Sequence, residues 1–310
     1  MNADIILHHY PQSLVSEKVR LVLGIKNLAW HSVEIPRLPP KPDLMPLTGG
    51  YRLTPVMQIG ADVYCDSQAI IREIHRRTPE PTLFPGGGDG MAWGIARWTD
   101  EVLFKIVLRA VFGSKGHEMP AEFLADRIPL FFEENTTLAQ LKGELGHNRD
   151  QIRAQFGFMN ERIGAGRDFM LGNRPSLSDV SCYYLIWFFR RQDPDGPRIL
   201  DEFKHLLLWE ERMKAVGHGR PVPMDSARAL EIARSSTPRT EEQADPLDPR
   251  GLRPGDRVVV SSYQCPNAGA VSGVLVASSS QTIGIRRNDD QIGEVVVHFP
   301  RAGYRVELIG

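Results

Sequence analysis

The sequence predicts a protein of three parts: a small α/β unit, an all-helical region and a small all-β domain. The α/β unit is predicted by strand and helix patterns that alternate over residues 1–85. The helical region is predicted by apolar residues repeated about every 3.6 positions over residues 90–235, and the β domain by short Val- and Ile-rich runs over residues 251–310. A length of 310 residues fits this division, because a typical domain has roughly 150 residues and leaves room here for a small third one.

The composition is that of an ordinary globular protein. Hydrophobic residues make up 42% and charged residues 24%, which is enough apolar material for packed cores. The 37 basic and 38 acidic residues give a net charge of −1, so the charge balance predicts binding to neither nucleic acid nor an anionic membrane. The three cysteines are distant in sequence and form no CxxC pair. We therefore expect neither a disulfide framework nor a metal site. We expect the protein to be located in a reducing cytoplasm.

No segment predicts a membrane helix or a leader. The longest apolar runs fall well short of the roughly 18 residues that a bilayer requires. The first ten residues lack the basic start of a signal peptide and instead contain the first predicted strand, at Ile5–Leu7.

The elements of residues 1–85 are expected in the order strand, helix, loop, hairpin, helix. A loop rich in proline and glycine separates the first helix from a hairpin whose turn is Gly60–Asp62. Ser67 is expected to cap the second helix. The apolar faces of the two helices are Val15, Val19, Val22 and Leu23 for the first, and Ile70, Ile71 and Ile74 for the second.

A linker leads into the helical region. The run Gly86–Gly88 lacks the GK[ST] ending of a phosphate-binding loop and lies among prolines, so we interpret it as a linker. The clearest helix begins after Ser176, where Asp179 three positions later resembles a capping box. We expect four aromatic residues to pack in the core of this region: Trp93, Trp98, Phe104 and Phe112.

The C-terminal part switches to strand periodicity. Residues 236–250 are polar and proline-rich and predict a second linker. Five strands in so short a segment predict a small SH3-like barrel, a fold with many uses, and we expect it to serve packing or interaction. Arg286 and Arg287 could form a small patch with Phe299 and Tyr304. The expected strands are Arg257–Ser261, Val271–Ser278, Thr282–Arg287, Glu294–Phe299 and Tyr304–Leu308.

A candidate site lies at the first strand-to-helix turn, where Ser13 stands at the start of the helix. A hydroxyl there can face a ligand beside free backbone N–H groups and the positive end of the helix dipole, which suits an anion or a thiolate. Ser13 can equally be no more than the N-cap. This segment alone leaves both interpretations open.

Three motifs follow one another in the α/β unit: Ser13 followed by Ser16–Arg20, Thr54–Val56 and Asp66–Ile70. In order and spacing they resemble the glutathione-binding half of the glutathione S-transferase family, in particular bacterial members of the serine type. In the helical region, Gly172–Asp179 resembles the capping-box motif of the same family. The resemblance covers about residues 1–235. It implies a thioredoxin-like domain at 1–85 and an all-helical domain with an electrophile pocket at 90–235.

The resemblance implies a catalytic role for Ser13, at the position that faces the glutathione sulfur. Tyr10 is the alternative hydroxyl donor, although its spacing to Arg20 is one residue short of the tyrosine pattern. The chain departs from the family at Leu14, where a proline commonly follows the catalytic residue. A serine cannot form a mixed disulfide, so transferase or peroxidase chemistry is favoured over thiol exchange, which would have to depend on Cys65.

The resemblance also implies which residues bind the rest of glutathione. Thr54 would offer its backbone to the cysteinyl part, with Pro55 as a cis-proline. Asp66 and Ser67 would hold the γ-glutamyl end. Lys41 matches a loop lysine that some classes use for the glycyl carboxylate. Asp100 is the weaker correspondence and resembles an acidic residue that some classes lend to the site of the neighbouring subunit.

The function implied is a cytoplasmic, homodimeric glutathione transferase. Glutathione is the co-substrate, its partner is a small hydrophobic electrophile, and no metal, nucleic acid or membrane is expected. The alternative is a non-catalytic protein of the same fold, which binds glutathione or serves as a scaffold and recruits a partner through the C-terminal barrel.

Overall fold

The computed structural model describes residues 4–309. Within them the chain forms ten β-strands and twelve α-helices, and none of these helices is long and apolar enough to cross a membrane. The strands are β1 (Ile6–His9), β2 (Ala29–Glu34), β3 (Val56–Ile59), β4 (Asp62–Cys65), β5 (Arg220–Pro223), β6 (Arg257–Ser262), β7 (Val271–Ser278), β8 (Thr282–Asp289), β9 (Gly293–Pro300) and β10 (Tyr304–Leu308). The helices are α1 (Leu14–Ile25), α2 (Met45–Thr48), α3 (Ser67–Arg77), α4 (Asp89–Trp98), α5 (Phe104–Lys115), α6 (Ala121–Phe131), α7 (Leu138–Gly143), α8 (Leu145–Gly164), α9 (Leu177–Gln192), α10 (Gly196–Leu200), α11 (Lys204–Val216) and α12 (Ser226–Arg234).

The chain divides into two compact units. The first comprises the described residues up to Val19, Leu28–Arg76 and the chain from Arg220 onward, and it holds every strand described. The second comprises Arg20–Asn27 and Arg77–Gly219, and helices α4 to α11 lie in it.

The sheet of the first unit has the order β10-β6-β7-β8-β9-β4-β3-β1-β2-β5. β1 pairs parallel with β2 and antiparallel with β3, which itself pairs antiparallel with β4. This half is the thioredoxin-like domain. β6 to β9 form an antiparallel meander and β10 returns beside β6, which is the small β domain predicted for the C-terminal part.

The sequence did not predict that these two halves share one sheet. β9 pairs parallel with β4, with Val297 opposite Val63. The apolar core is shared as well, because Ile6 and Val56 belong to the same buried cluster as Val258 and Val297. The small β domain is therefore built onto the thioredoxin-like domain, and its apolar residues stabilise both.

Strand β2 lies where we expected only a loop. Trp30 and Val33 are 3% and 0% exposed, whereas His31 and Ser32 between them are half-buried. That mixture breaks the simple alternation by which a strand is predicted. β5 was missed for a different reason: its two prolines cannot donate to a sheet, and it lies at the end of the strand order, where proline is tolerated.

The segment predicted as a linker, residues 236–250, is held against β4. Thr240 Oγ1 donates to Asp62 Oδ1 over 2.6 Å, and the Arg239 N–H donates to Asp62 Oδ2 over 2.8 Å. His298 Nε2 lies 3.0 Å from Asp62 Oδ1. Burial alone would raise the pKa of Asp62, but the hydrogen bonds from His298, Thr240 and Arg239 together lower it.

The capping box predicted for the helical unit is confirmed. Asp179 Oδ2 accepts the Ser176 N–H over 2.9 Å, and the Ser176 side chain accepts the N–H of Asp179 in return. Asp179 Oδ1 also accepts from the Met170 N–H and from Trp209 Nε1, each over 2.8 Å. A single buried carboxylate thus caps α9 and ties it to α11. The predicted core packing is confirmed for Phe112 and for Phe104, which packs against the same buried cluster, whereas Trp93 and Trp98 are half-buried and lie outside that cluster.

Candidate functional site

The register of the sheet brings three predicted motifs to one edge of the first unit. β1 is antiparallel to β3 with His8 opposite Val56, so the end of β1 lies beside the Thr54–Pro55 step. β3 is antiparallel to β4 with Val56 opposite Cys65, so Asp66 follows at that same edge. Helices α1 and α3 both begin there, and the positive ends of their dipoles favour a bound anion.

Ser13 is the N-cap of α1. Its N–H donates to the carbonyl of Tyr10 over 3.1 Å and closes the turn after β1. Its Oγ accepts the N–H of Ser16 over 3.2 Å and the hydroxyl of Ser16 over 2.8 Å. A hydroxyl that accepts two hydrogen bonds is polarised toward donating its own proton, so capping and donation to a ligand are compatible.

Tyr10, the alternative donor, lies beside this turn. It is half-buried, packs against the core of the first unit, and has the Arg37 guanidinium 5.8 Å from its ring centre. Leu14 is the first residue of α1 and is also half-buried. The hydrogen bond between Ser13 and Tyr10 closes the turn without the proline that the family commonly has there.

Lys41 and Thr54 contact each other. Lys41 Nζ donates to Thr54 Oγ1 over 3.0 Å and to the carbonyl of Arg52 over 2.9 Å. Lys41 is only 4% exposed, so its ammonium is held against the loop that carries Thr54. The peptide bond between Thr54 and Pro55 is cis, as the resemblance implies.

Asp66 is the residue that caps α3, whereas we had expected Ser67 to do so. Asp66 Oδ1 accepts the N–H of Gln68 over 2.8 Å, which satisfies one free amide of the first turn. Ser67 is the first helical residue and is 5% exposed. The φ angle of Asp66 is +78°, a left-handed conformation that aspartate tolerates better than most residues.

Asp100 belongs to the helical unit. It lies in a π-helical turn, Thr99–Leu103, between α4 and α5. Its Oδ1 accepts the hydroxyl of Tyr184 over 2.7 Å. A role in the site of a neighbouring subunit stays a prediction.

The helical unit carries an open cavity of about 640 Å³. Glu101, Lys105 and Arg109 line it, and Arg109 binds the carboxylates of Glu133 and Glu144 over 2.8 and 2.7 Å. Pockets for apolar ligands are lined mostly by hydrophobic and aromatic side chains. This charged cavity does not fit the electrophile pocket that the resemblance implies.

Two side chains that hydrogen-bond to residues of the candidate site were not predicted from the sequence. Ser16 supports Ser13, and the available signal was its position one helical turn after the N-cap. Tyr304 donates its hydroxyl to Asp66 Oδ2 over 3.1 Å from 238 positions away, where no local pattern could pair them. The prediction that Phe299 and Tyr304 form a surface patch with Arg286 and Arg287 is wrong for the two aromatic residues, because they are only 1% and 8% exposed.

The cysteines have the environments expected of structural residues. Cys65 and Cys182 are buried, and burial raises the pKa of both thiols, so neither has the lowered pKa of a reactive cysteine. Cys265 is half-buried. Across residues 4–309, no three His, Cys, Asp or Glu side chains come together in a group that could hold a metal ion.

The thioredoxin-like domain and the helical unit give the chain the fold class of glutathione transferases. Comparison with known proteins shows the family. The N-terminal domain of glutathione S-transferases matches residues 7–82, and the C-terminal domain of that family matches residues 132–212. The structure of a GST-like protein from Pseudomonas syringae is 36% identical, covers 99% of this chain and 100% of its own, and has a TM-score of 0.79. The chain belongs to the glutathione S-transferase family.

More distant structures share the fold. The theta class glutathione S-transferase from Xanthomonas axonopodis pv. citri, with glutathione bound, is 18% identical and covers 68% of this chain and 92% of its own, with a TM-score of 0.51. Poplar glutathione transferase F1 is 14% identical and covers 75% of this chain and 99% of its own, with a TM-score of 0.51. No curated protein sequence matched the chain.

Proposed function

We propose that the protein is a glutathione transferase that activates the thiol of glutathione at the N-terminus of α1 for attack on a hydrophobic electrophile. The observation that carries the proposal is the common edge at which Ser13, the Thr54–Pro55 step and Asp66 meet. These are the three positions at which the resemblance to the glutathione-binding half of the family lies. Family membership supports glutathione as the ligand of that edge.

In the proposed complex each part of glutathione has its own partner. The γ-glutamyl ammonium pairs with the carboxylate of Asp66, and its carboxylate takes Ser67 and the N-terminus of α3. The backbone of Thr54 binds the cysteinyl part. Lys41 places a positive charge for the glycyl carboxylate beside Thr54.

The chemical step requires a thiolate. A free thiol with a pKa near 8.5 is only a few per cent ionised at neutral pH, and lowering that pKa by about two units corresponds to about 2.7 kcal/mol. The Ser13 hydroxyl donates to the sulfur, and the dipole of α1 adds favourable electrostatics. The thiol proton passes to solvent, the sulfur lone pair forms the S–C bond, and the leaving group departs with its electron pair.

The test measures binding and turnover separately. With wild-type protein, calorimetry is expected to detect glutathione binding, and chlorodinitrobenzene is expected to be conjugated with release of chloride. Ser13→Ala is expected to lower kcat roughly ten- to a hundredfold while the Kd of glutathione changes by less than about threefold. Tyr10→Phe is the matched control that keeps wild-type turnover. Loss of turnover in Tyr10→Phe with full activity in Ser13→Ala would assign catalysis to Tyr10 instead.

A second candidate function is a non-catalytic glutathione-binding protein. The burial of Ser13, which is 3% exposed and caps α1, favours it. In that case glutathione binds with the same Kd in wild type and Ser13→Ala, and neither conjugates electrophiles. No binding of glutathione to the wild type contradicts both candidates.

The proposed enzyme is a cytoplasmic homodimer. The dimer is supported by family membership, and light scattering is expected to give twice the mass of one chain. Asp100→Asn is expected to weaken glutathione binding only if that carboxylate reaches the partner's site, since its bond from Tyr184 lies within its own unit. A monomer in solution contradicts this part of the proposal and leaves the site chemistry in place.

A further inference from the structure

Tyr304 of the small β domain is fixed in an aromatic cluster. Its ring lies 5.2 Å from that of Phe299 in β9, and Phe299 makes an edge contact of 5.8 Å with Tyr51 of the thioredoxin-like domain. Tyr304 is 8% exposed, and its backbone pairs with Ser262 of β6. Packing on both sides therefore leaves its hydroxyl little freedom to move.

The Tyr304 hydroxyl is directed at the candidate site. It lies 3.1 Å from Asp66 Oδ2 and 3.5 Å from the hydroxyl of Tyr51. A phenol has a single proton, and the nearer, charged carboxylate is the stronger acceptor. Burial and the charge of Asp66 raise the pKa of Tyr304 well above its ordinary value, so it remains a donor at neutral pH.

A second contact reaches the other end of the candidate site. The N–H of Arg52 donates to the carbonyl of Ala268 over 3.0 Å, and Arg52 Nε donates to the carbonyl of Asn267 over 2.8 Å. The carbonyl of Arg52 in turn accepts from Lys41. The loop between β6 and β7 thus contacts Arg52, the residue whose carbonyl accepts a hydrogen bond from Lys41.

We infer that the small β domain is part of the glutathione site and that Tyr304 is a positioning residue for Asp66. Its hydroxyl fixes one carboxylate oxygen while the N–H of Gln68 fixes the other. The carboxylate therefore meets the γ-glutamyl ammonium in a set orientation, with little entropy to lose on binding. This inference rests on the proposed function, because it assigns a role within that site.

The experiment is calorimetry with glutathione on four variants of the full chain. Tyr304→Phe keeps the ring and removes the donor, and the Kd is expected to rise roughly tenfold. Tyr51→Phe is the matched control, since it makes the same change in the same cluster without removing the bond to Asp66, and its Kd is expected to stay within about twofold of wild type. In the Asp66→Asn background, Tyr304→Phe is expected to add no further loss, because the two residues act as one pair.

The outcomes separate this inference from the proposed function. If wild type does not bind glutathione, both fail. If Asp66→Asn binds like wild type, the role of Asp66 fails and the positioning role of Tyr304 fails with it. If Asp66→Asn weakens binding and Tyr304→Phe does not, or if the two losses multiply in the double variant, only the inference about Tyr304 is overturned. Thermal unfolding of each variant identifies any loss that comes from misfolding.

Discussion

The hydroxyl of Ser16 donates a hydrogen bond of 2.8 Å to the Oγ of Ser13, the N-cap of α1. The N–H of Ser16 contacts the same oxygen over 3.2 Å. Ser16 is 0% exposed, so its hydroxyl is held in place by packing. The pair orients the hydroxyl that the proposed mechanism directs at the glutathione sulfur.

Ser16→Ala is therefore expected to lower turnover without removing Ser13. The lost donor leaves Ser13 less polarised and less well oriented, and kcat/KM is expected to fall roughly tenfold. Steady-state kinetics with chlorodinitrobenzene measures the effect. Ser114→Ala is the control, because Ser114 Oγ donates only within its own helix, to the carbonyl of Val111. Equal activity in the two variants would show that Ser16 has no part in orienting Ser13.

His8 is expected to make stability fall as the pH drops below neutral. Burial lowers its pKa from 6.5 to about 4, against the hydrogen bond to Gln58, which favours the charged form. Gln58 Oε1 accepts from His8 Nε2 over 3.0 Å, and His8 Nδ1 has no partner among the described residues. Between these pH values the unfolded chain binds a proton that the folded chain excludes, which costs of the order of 3 kcal/mol in total.

His8→Gln tests this pH dependence of stability. The difference in unfolding free energy between wild type and His8→Gln should shrink as the pH is lowered from about 6.5 to about 4. Urea titrations at a series of pH values measure it. His117→Gln is the control, at a side chain that is 73% exposed, and its difference from wild type in unfolding free energy should stay the same over this pH range. A His8→Gln difference that does not change with pH would mean that His8 is protonated equally in both states.

Asp62 is expected to control stability at lower pH. Its folded-state pKa is lowered by the bonds from His298, Thr240 and Arg239, which outweigh burial. Its contribution is therefore present above the ordinary carboxyl pKa near 3.9 and is lost as the pH falls through the folded-state value. Asp62→Asn should be less stable than wild type at neutral pH and should approach it in acid.

Thermal unfolding between neutral pH and about pH 3 measures the effect of Asp62→Asn. Asp290→Asn, in the exposed turn between β8 and β9, is the matched control and should follow wild type throughout. If Asp62→Asn stays below wild type by the same margin in acid, the contact at β4 does not depend on the charge of Asp62.

Asp179→Asn is expected to destabilise the helical unit strongly. The carboxylate accepts from Ser176, Met170 and Trp209, and an amide replaces one of its oxygens with a group that cannot accept. Leaving buried donors unpaired should cost about 3 kcal/mol or more. Urea unfolding measures the loss, with Asp150→Asn at an exposed position of α8 expected within about 0.5 kcal/mol of wild type. A loss of similar size in both variants would contradict the structural role of Asp179.

Local patterns predicted most of the elements. The five C-terminal strands begin within one residue of their expected positions, because Val- and Ile-rich runs are bounded there by clear turn residues. Ser176 and Asp179 were predicted as a capping box for the same reason, since both partners lie within one helical turn. The glutathione motifs were found because each is a short run at the start of a helix or strand.

Contacts between distant segments were beyond local patterns. Nothing near Val297 indicates that it pairs with Val63, and nothing near Tyr304 indicates that its hydroxyl reaches Asp66. The C-terminal domain was expected to serve packing or interaction, and it does pack against the thioredoxin-like domain. That it extends the sheet and contacts Asp66 was not predicted. β2 was not predicted, because His31 and Ser32 interrupt its apolar pattern.

The most direct test of the central claim is the pKa of bound glutathione. The ultraviolet absorbance of the thiolate, followed against pH in the complex with wild-type protein, is expected to give a thiol pKa about two units below the value near 8.5 of a free thiol. In Ser13→Ala the pKa of the bound thiol should return most of the way to that value, while Tyr10→Phe should leave it lowered. A bound thiol that titrates like free glutathione in the wild type, or equally low in Ser13→Ala, would contradict the account.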